Sequence, residues 1–294
     1  MSRVVIFAFW GRQENVELQL PFIQRILAEN PDAEFHGWDL CRDRQDSRFL
    51  RTIKGDRIQV KTQFYSNDGR ASRGQVKVWN HYTDPSYQNT VFVKLDDDDV
   101  FLETEGFRAF IEAAQNNPGH VISGLTVNNG ASTRHIPDLW EGMQTLPSPD
   151  ENEAAQGKPM ELLDAHLSVE FADMCHRWFH TNWETLTQGE GTVPTEDWVS
   201  INAIAMSWPV LHCISSLIGR VPPTEIAGRF FTPRNRIGDE GAANMLPRLI
   251  CKDFVVGHLN FGPQLRQMDD AVLTELRKLY TDISSQYLEV PVAA

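Results

Sequence analysis

Four consecutive aspartates, Asp96–Asp99, follow an apolar run in the segment VFVKLDDDDVFLE at residues 91–103. Like charges this close repel one another, so ionising all of them requires a nearby cation or full contact with water. The run VFVKL has the pattern of a buried strand, which would fix the aspartates at a rigid sheet edge. A D-x-D spacing there can direct two carboxylates to one hard cation, Mn²⁺ or Mg²⁺. We therefore predict a metal site, with a solvated turn as the alternative.

One histidine and two acidic pairs are the other candidates for chemistry. His258 ends the apolar run VVGH, so it also follows a predicted strand. Asp239 and Glu240 precede it by about one helix and one strand, whereas Glu196 and Asp197 lie further from it along the chain. A carboxylate of either pair is a candidate general base. Position along the chain favours Asp239 and Glu240.

The elements that must position these residues follow an alternating pattern. Strands are predicted at 3–10, 33–40, 57–64, 90–95, 120–127, 198–206 and 250–258. Helices are predicted at 15–30, 44–53, 71–82, 104–117 with Thr104 as N-cap, 161–183, 209–219, 239–249 and from 269 onward. Alternation with short connections predicts an α/β fold, with a mostly parallel sheet flanked by helices. Ligands of such sheets bind beyond the carboxyl ends of the strands.

The middle of the chain fits this alternation poorly. Residues 130–197 include the polar stretch LPSPDENEAAQGKP, so we interpret them as an irregular insertion. The prediction is a single domain over residues 1–268, followed by a C-terminal helix and tail over 269–294.

Composition excludes several classes of protein. The 294 residues carry a formal net charge of −13, and no basic stripe is present, which argues against nucleic acid as a partner. No apolar run approaches the ~20 residues of a membrane span. The four cysteines form no CxxC pair, which is typical of free thiols in a reducing compartment. We therefore expect a cytoplasmic protein. Cys175, His176 and His180 lack a fourth ligand, which argues against zinc.

The ordered set of a D-x-D at a strand end, a later acidic pair and a C-terminal histidine resembles the metal-dependent GT-A glycosyltransferases. VFVKLDDDDVFLE resembles the FxKxDDDI strand end of bacterial and phage members, and WVSINAIAM, GDEGAANMLPR and ICKDFVVGHLNFGPQ resemble their C-terminal half. The resemblance covers about residues 3–130 and 198–265. It implies a GT-A-like, Rossmann-like fold that transfers a sugar from a nucleotide-sugar donor, with UDP favoured. The acceptor would be a hydroxyl of a glycan, a protein or a small molecule, and the insertion over residues 130–197 would face it.

The resemblance also assigns roles to the metal-site residues. Asp98 would bind the metal directly, and Asp96 would bind the metal or the ribose of the nucleotide. A shifted register, in which Asp97 and Asp99 are the two aspartates of the D-x-D, stays open as an alternative. His258 matches a third metal ligand or a diphosphate contact.

The acidic pair would supply the general base of an inverting enzyme. Asp239 and Glu240 match it in reversed order, DE where ED is commoner, which leaves open which of them is the base. Glu196 and Asp197 are the alternative pair. An inverting and a retaining mechanism both stay open.

The nucleotide is expected over the first strands. Gly11 permits close approach of a ligand to the backbone, and Asp39 is a candidate for the imide N–H of the base, with loop capping as its alternative role. Basic residues before the D-x-D strand could reach the diphosphate. The candidate nucleotide-sugar contacts are Phe9, Gly11, Arg12, Asp39, Arg70, Arg73, Lys77, Asp96 and Asp97.

Two other functions would use the same aspartates. A metal-dependent nucleotidyl or phosphoryl transferase would act on nucleoside triphosphates and would not need Asp239 or Glu240. A non-catalytic Ca²⁺- or carbohydrate-binding module would bind metal or glycan without affinity for nucleotides. The glycine and glutamate positions of an EF-hand loop are absent around the aspartates, which argues against that type of Ca²⁺ site.

Overall fold

The computed structural model describes residues 3–65, 71–149, 158–186 and 191–289. The strands are β1 (Arg3–Trp10), β2 (Ala33–Asp39), β3 (Ile58–Lys61), β4 (Thr90–Asp96), β5 (Asp99–Leu102), β6 (Val121–Val127), β7 (Thr192–Thr195), β8 (Ile204–Ser207), β9 (Glu225–Ile226), β10 (Arg229–Phe230) and β11 (Arg248–His258). The helices are α1 (Gln13–Glu29), α2 (Arg44–Leu50), α3 (Ala71–His81), α4 (Phe107–Asn116), α5 (Gly130–Thr133), α6 (Pro137–Thr145), α7 (Val169–Leu186), α8 (Trp208–Leu217), α9 (Asp239–Asn244), α10 (Gly262–Gln267) and α11 (Asp270–Glu289). Short 3₁₀ helices lie at Pro85–Tyr87 and Leu162–Leu167.

One large mixed sheet joins most of these strands. Its order is β3-β2-β1-β4-β8-β6-β11-β5, and β7 pairs with β11 beside β5. The strands β3, β2, β1 and β4 are mutually parallel, as are β6 and β11. The strands β8, β5 and β7 run antiparallel to their neighbours. The predicted α/β class is confirmed. The sheet is mixed, because β8, β5 and β7 run antiparallel to their neighbours, so the mostly parallel arrangement is not confirmed.

The central strand β1 is buried on both faces, which explains its unbroken apolar sequence. Val4, Ile6 and Ala8 belong to one hydrophobic core, and Val5 and Phe7 belong to a second core on the opposite face. Successive side chains of a strand point to opposite faces, so both cores need apolar residues. Rigid support on both sides therefore fixes the end of β1 and the end of its neighbour β4.

Helices cover both faces of the sheet. The first core receives side chains from α1, α4, α6, α7 and α11, and the second receives side chains from α3, α8 and α9. The helices α6 and α7 come from the segment predicted as an insertion. They pack into the first core, together with α4, which precedes that segment, and α11 at the end of the chain.

Several local predictions differ from the structure. The helix predicted over 239–249 ends at Asn244, and the α-helix predicted over 161–183 begins at Val169. The strand predicted over 198–206 is limited to β8, and residues 198–203 form an irregular loop. Thr104 is not the N-cap of α4, because that helix begins later, after Gly106. The Glu103 carboxylate accepts hydrogen bonds from the N–H groups of Glu105 and Gly106 instead.

None of the described helices combines the length and the apolar character that a membrane-crossing helix requires.

Candidate functional site

The aspartate run is divided between two strands and the turn that joins them. Asp96 ends β4, Asp97 and Asp98 form the turn, and Asp99 begins β5. The buried side chain of Gln19 on α1 holds this turn, because its Nε2 donates to the carbonyls of Asp96 and Asp99 at 2.6 and 3.1 Å. The four carboxylates consequently meet different surroundings.

His258 reaches the turn because β11 pairs antiparallel with β5. Asp99 lies opposite His258, and a bulge shifts the register between Gly257 and His258. Such bulges re-aim side chains at the end of a strand. The N–H of Leu259 donates to the carbonyl of Asp98 at 2.8 Å. The Nε2 atom of His258 lies 3.3 Å from Oδ1 of Asp98.

Asp96, Asp98 and His258 form a group that could hold a metal ion. One ligand atom from each lies within 4.8 Å of the others. Burial opposes ionisation of Asp98, but Arg12 and His258 lower the pKa of Asp98 below its ordinary range. Burial also disfavours the charged form of His258, yet Asp98 raises the pKa of His258 above its usual value. Ionised carboxylate oxygens and a nearby imidazole are donors suited to a divalent cation.

The other two aspartates are engaged elsewhere. The carboxylate of Asp97 accepts hydrogen bonds from the Gly11 N–H at 3.2 Å and from Nε and Nη2 of Arg12 at 3.0 and 2.6 Å. The carboxylate of Asp99 accepts from the N–H of Asp96 at 2.9 Å, and burial raises the pKa of Asp99 well above its ordinary value. The structure groups Asp96 and Asp98 with His258, and it does not group Asp97 and Asp99, the pair of the shifted register, with that histidine.

Two basic side chains contact the candidate ligands. Nζ of Lys94 lies 2.5 Å from Oδ1 of Asp96 and 2.6 Å from the carbonyl of Ile201. Lys94 precedes Asp96 by two residues, so both side chains leave the same face of β4. Nη2 of Arg12 lies 2.7 Å from Oδ2 of Asp98. These contacts offset part of the negative charge that the aspartate run concentrates.

A cavity of about 490 Å³ opens beside this group. Its lining combines the ends of β1, β4 and β11, the loop before β8 and the first turn of α9. Binding sites for small molecules commonly have volumes of about 300–1,000 Å³. The cavity is therefore large enough for a nucleotide-sized ligand next to the candidate metal ligands.

The two members of the acidic pair of α9 have different surroundings. Glu240 lines the cavity, and Nε1 of Trp198 donates to its Oε1. Burial raises the pKa of Glu240 above its ordinary value, although Trp198 and Arg229 act in the opposite direction. The Arg229 guanidinium lies 4.1 Å from the centre of the Trp198 ring. Asp239 accepts from Nε1 of Trp79 at 3.0 Å and is not among the described lining residues.

The alternative acidic pair lies away from the described lining of the cavity. Asp197 forms an ion pair with Arg134 at 2.8 Å near the surface. The carbonyl of Glu196 accepts a hydrogen bond from Arg248. Neither carboxylate is grouped with the candidate metal ligands.

The first strands place part of the predicted nucleotide contacts at the cavity. Phe9 and Gly11 line it. Asp39 is fully buried and is not among the described lining residues. Its carboxylate accepts from Oγ of Ser47 at 2.7 Å and contacts Arg51 at 3.4 Å. These contacts match the alternative, structural role of Asp39.

The predicted basic contacts on α3 lie elsewhere. Arg73 and Lys77 are exposed, and neither belongs to the described lining. Nζ of Lys77 lies 6.0 Å from the centre of the Phe64 ring. The prediction for Arg70 falls outside the described residues.

Three residues in or next to the candidate site are not predicted from the sequence. Gln19 is a polar residue on the buried side of α1, and a polar residue at an apolar position of the helix is a signal that could have identified it. Lys94 lies within the apolar strand that delivers the aspartates. Asn260 follows His258 by two residues and lines the cavity, and neither polar atom of its buried side chain has a hydrogen-bond partner among the described residues.

Neither the models of known protein families nor the curated protein sequences match this chain.

Proposed function

We propose that this protein is a divalent-metal-dependent glycosyltransferase that moves a sugar from a nucleotide-sugar donor, with a UDP-sugar favoured, to an acceptor hydroxyl. The observation that carries the proposal is the grouping of Asp96, Asp98 and His258 beside a cavity that also contains Glu240. The GT-A resemblance of the sequence supports the same activity. On this proposal the fold is GT-A-like, and the mixed sheet is a variant of the GT-A arrangement.

The roles follow from where charge develops during sugar transfer. Asp96, Asp98 and His258 would hold Mn²⁺ or Mg²⁺, which when bound offsets negative charge on the departing diphosphate. Glu240 would accept the proton of the acceptor hydroxyl as that oxygen attacks the sugar. A raised pKa suits a carboxylate for this role, because a base works best when its pKa approaches the working pH.

Unpartnered polar atoms support a polar ligand in the cavity. Nδ1 of His258 and both amide atoms of Asn260 are buried without a hydrogen-bond partner among the described residues. Leaving such groups unpaired is costly, and native proteins rarely do so. Hydroxyl and phosphate oxygens of a nucleotide sugar would provide partners of both kinds.

Thermal stability against a nucleotide panel, with and without Mn²⁺, tests the proposal. A ligand at about 100 times its Kd stabilises the native state by about 2.7 kcal/mol. We expect UDP to raise the melting temperature only when Mn²⁺ is present, and Asp98→Asn to abolish this effect. Asp56→Asn is the matched control, because the Asp56 side chain is 93% exposed and lies away from the described lining.

Release of UDP from a panel of UDP-sugars then tests turnover. A stabilisation by metal alone, with no effect of any nucleotide, would contradict the proposal and indicate a metal-binding module. Turnover of nucleoside triphosphates that survives Glu240→Gln would indicate a nucleotidyl or phosphoryl transferase.

A further inference from the structure

Each candidate aspartate ligand presents one of its oxygens to a basic side chain. Nη2 of Arg12 lies 2.7 Å from Oδ2 of Asp98, and Nζ of Lys94 lies 2.5 Å from Oδ1 of Asp96. The other oxygen of Asp98, Oδ1, is the one that faces Nε2 of His258 at 3.3 Å. The two carboxylates are therefore held with one oxygen each on a cation.

Hydrogen bonds to Asp97 fix the side chain of Arg12 in its contact with Asp98. Arg12 donates through both Nε and Nη2 to Asp97, and the N–H of Gly11 donates to the same carboxylate. A planar guanidinium fixed by two parallel hydrogen bonds has little freedom to turn. The end of β1 thus positions Asp97, Asp97 positions Arg12, and Arg12 orients Asp98.

Orientation of this kind restricts how Asp98 can bind a cation. A carboxylate with Oδ2 on a guanidinium offers Oδ1 alone. Ca²⁺ takes six to eight oxygen ligands and often uses both oxygens of a carboxylate, whereas smaller cations accept a compact octahedral set. The surroundings of Asp96 act in the same sense, because Lys94 holds its Oδ1 at 2.5 Å, whereas the nearest amide donor to its Oδ2, from Asn202, lies at 3.5 Å.

We infer that Arg12 is a positioning residue that sets the metal preference of this site. By keeping Asp98 to a single oxygen, it favours Mn²⁺ or Mg²⁺ over Ca²⁺. The inference rests on the proposed function, because that proposal assigns the metal to these ligands. It goes further in giving Arg12 a role in cation choice instead of a nucleotide contact.

The test compares the affinities for Mn²⁺ and Ca²⁺ by calorimetry with UDP present. The proteins are the full chain, Arg12→Gln, Arg12→Lys and Arg42→Gln. Arg42 is the matched control, because it lines the same cavity and makes no ion pair with the aspartate run. Loss of an outer contact commonly changes metal affinity 10–100-fold. We expect both Arg12 variants to lower the ratio of Mn²⁺ affinity to Ca²⁺ affinity by about 10-fold. Arg42→Gln should keep the wild-type ratio.

The ratio of affinities separates this role from a general structural one, which would weaken both cations alike. Melting temperatures confirm folding, and if Arg12→Gln does not fold, Arg12→Lys decides alone. A wild-type ratio in Arg12→Lys, which keeps the charge but lacks the planar fork, would overturn the inference. Unchanged ratios in both Arg12 variants would also overturn it while the proposed function stands. Absence of Mn²⁺ binding by the wild-type chain with UDP would contradict both the inference and the proposed function.

Discussion

Glu240 differs from Asp98 in its hydrogen-bond partner, which is the neutral indole of Trp198 and not the guanidinium of Arg12. An indole stabilises the ionised carboxylate less than a guanidinium or an ammonium does. Burial therefore prevails and raises the pKa of Glu240. A carboxylate with this pKa can take a proton during a reaction, whereas Asp98, whose pKa Arg12 and His258 lower against the effect of burial, is better suited to binding a metal.

Glu240→Gln should remove the base while leaving ligand binding in place. We expect the rate of sugar transfer to fall by about 10²–10⁴-fold, which is the usual contribution of general base catalysis. Binding of UDP with Mn²⁺, measured by calorimetry, should be retained because the metal ligands are unchanged. Glu196→Gln is the matched control and should keep wild-type activity. Full activity of Glu240→Gln, or loss of activity in the control variant, would reassign the base.

At this scale the sequence predicted the residues that end strands and missed those that support them. Asp98 and His258 could be found because an acidic turn and a histidine each follow an apolar run. The hydrogen bonds of Gln19 to the turn span 77 and 80 residues along the chain, so no local pattern contains them. The burial of Asp39 likewise depends on Ser47 of the next helix.

At the scale of elements, the last helix holds the strand that begins with the aspartate run. The Tyr287 hydroxyl of α11 donates to Glu103 at 3.0 Å, directly after β5, and accepts from the N–H of Thr104. Gly257 on β11 is needed for this packing, because a Cβ there would lie 2.7 Å from the ring of Tyr280. The helix α11 therefore stabilises both strands whose pairing brings the histidine to the aspartates.

Glu103 should make stability depend on pH. Burial raises the pKa of Glu103 to about 7, from an ordinary value of 4.5 in the unfolded chain. Between these values the folded protein keeps a proton that the unfolded chain loses, so stability falls as pH rises from about 4.5 through 7. Melting temperatures between pH 5 and 8 should therefore decrease, with a shallower slope in Glu103→Gln. Glu105→Gln, at the exposed neighbour, should keep the wild-type slope, and an unchanged slope in Glu103→Gln would contradict the prediction.

The sequence did not predict the order of the strands in the sheet. The alternation of strands and helices predicted the parallel half of the sheet correctly, because each βαβ unit is a local pattern. The antiparallel β8 pairs with β4 and β6, which lie about 80 residues or more earlier in the chain. Its four residues carry the same apolar pattern whether they pair in one direction or the other. Direction is therefore decided by packing and not by local composition.

The scale of the whole molecule adds a constraint from charge. The chain has a formal net charge of −13, and the described lining of the cavity contains six acidic side chains and two arginines. The acidic residues are Asp43, Asp46, Asp96, Asp97, Asp98 and Glu240, and the arginines are Arg12 and Arg42. A nucleoside diphosphate approaching this surface meets like charge. A divalent cation would reverse part of that repulsion, so binding of metal and binding of nucleotide should strengthen each other by the same factor.

Affinity for UDP without a divalent cation should consequently increase with ionic strength. Salt shortens the Debye length from about 30 Å at 0.01 M to about 8 Å at 0.15 M, which screens the repulsion between the acidic surface and the diphosphate. Calorimetric titrations of UDP in chelator-treated buffer over this range measure the effect. Uridine, which carries no phosphate, is the matched ligand control and should show little dependence on salt. Affinity for UDP that falls as salt is added would mean that the phosphates meet net positive charge, through residues such as Arg12 and Arg42, and that the diphosphate can bind without the metal.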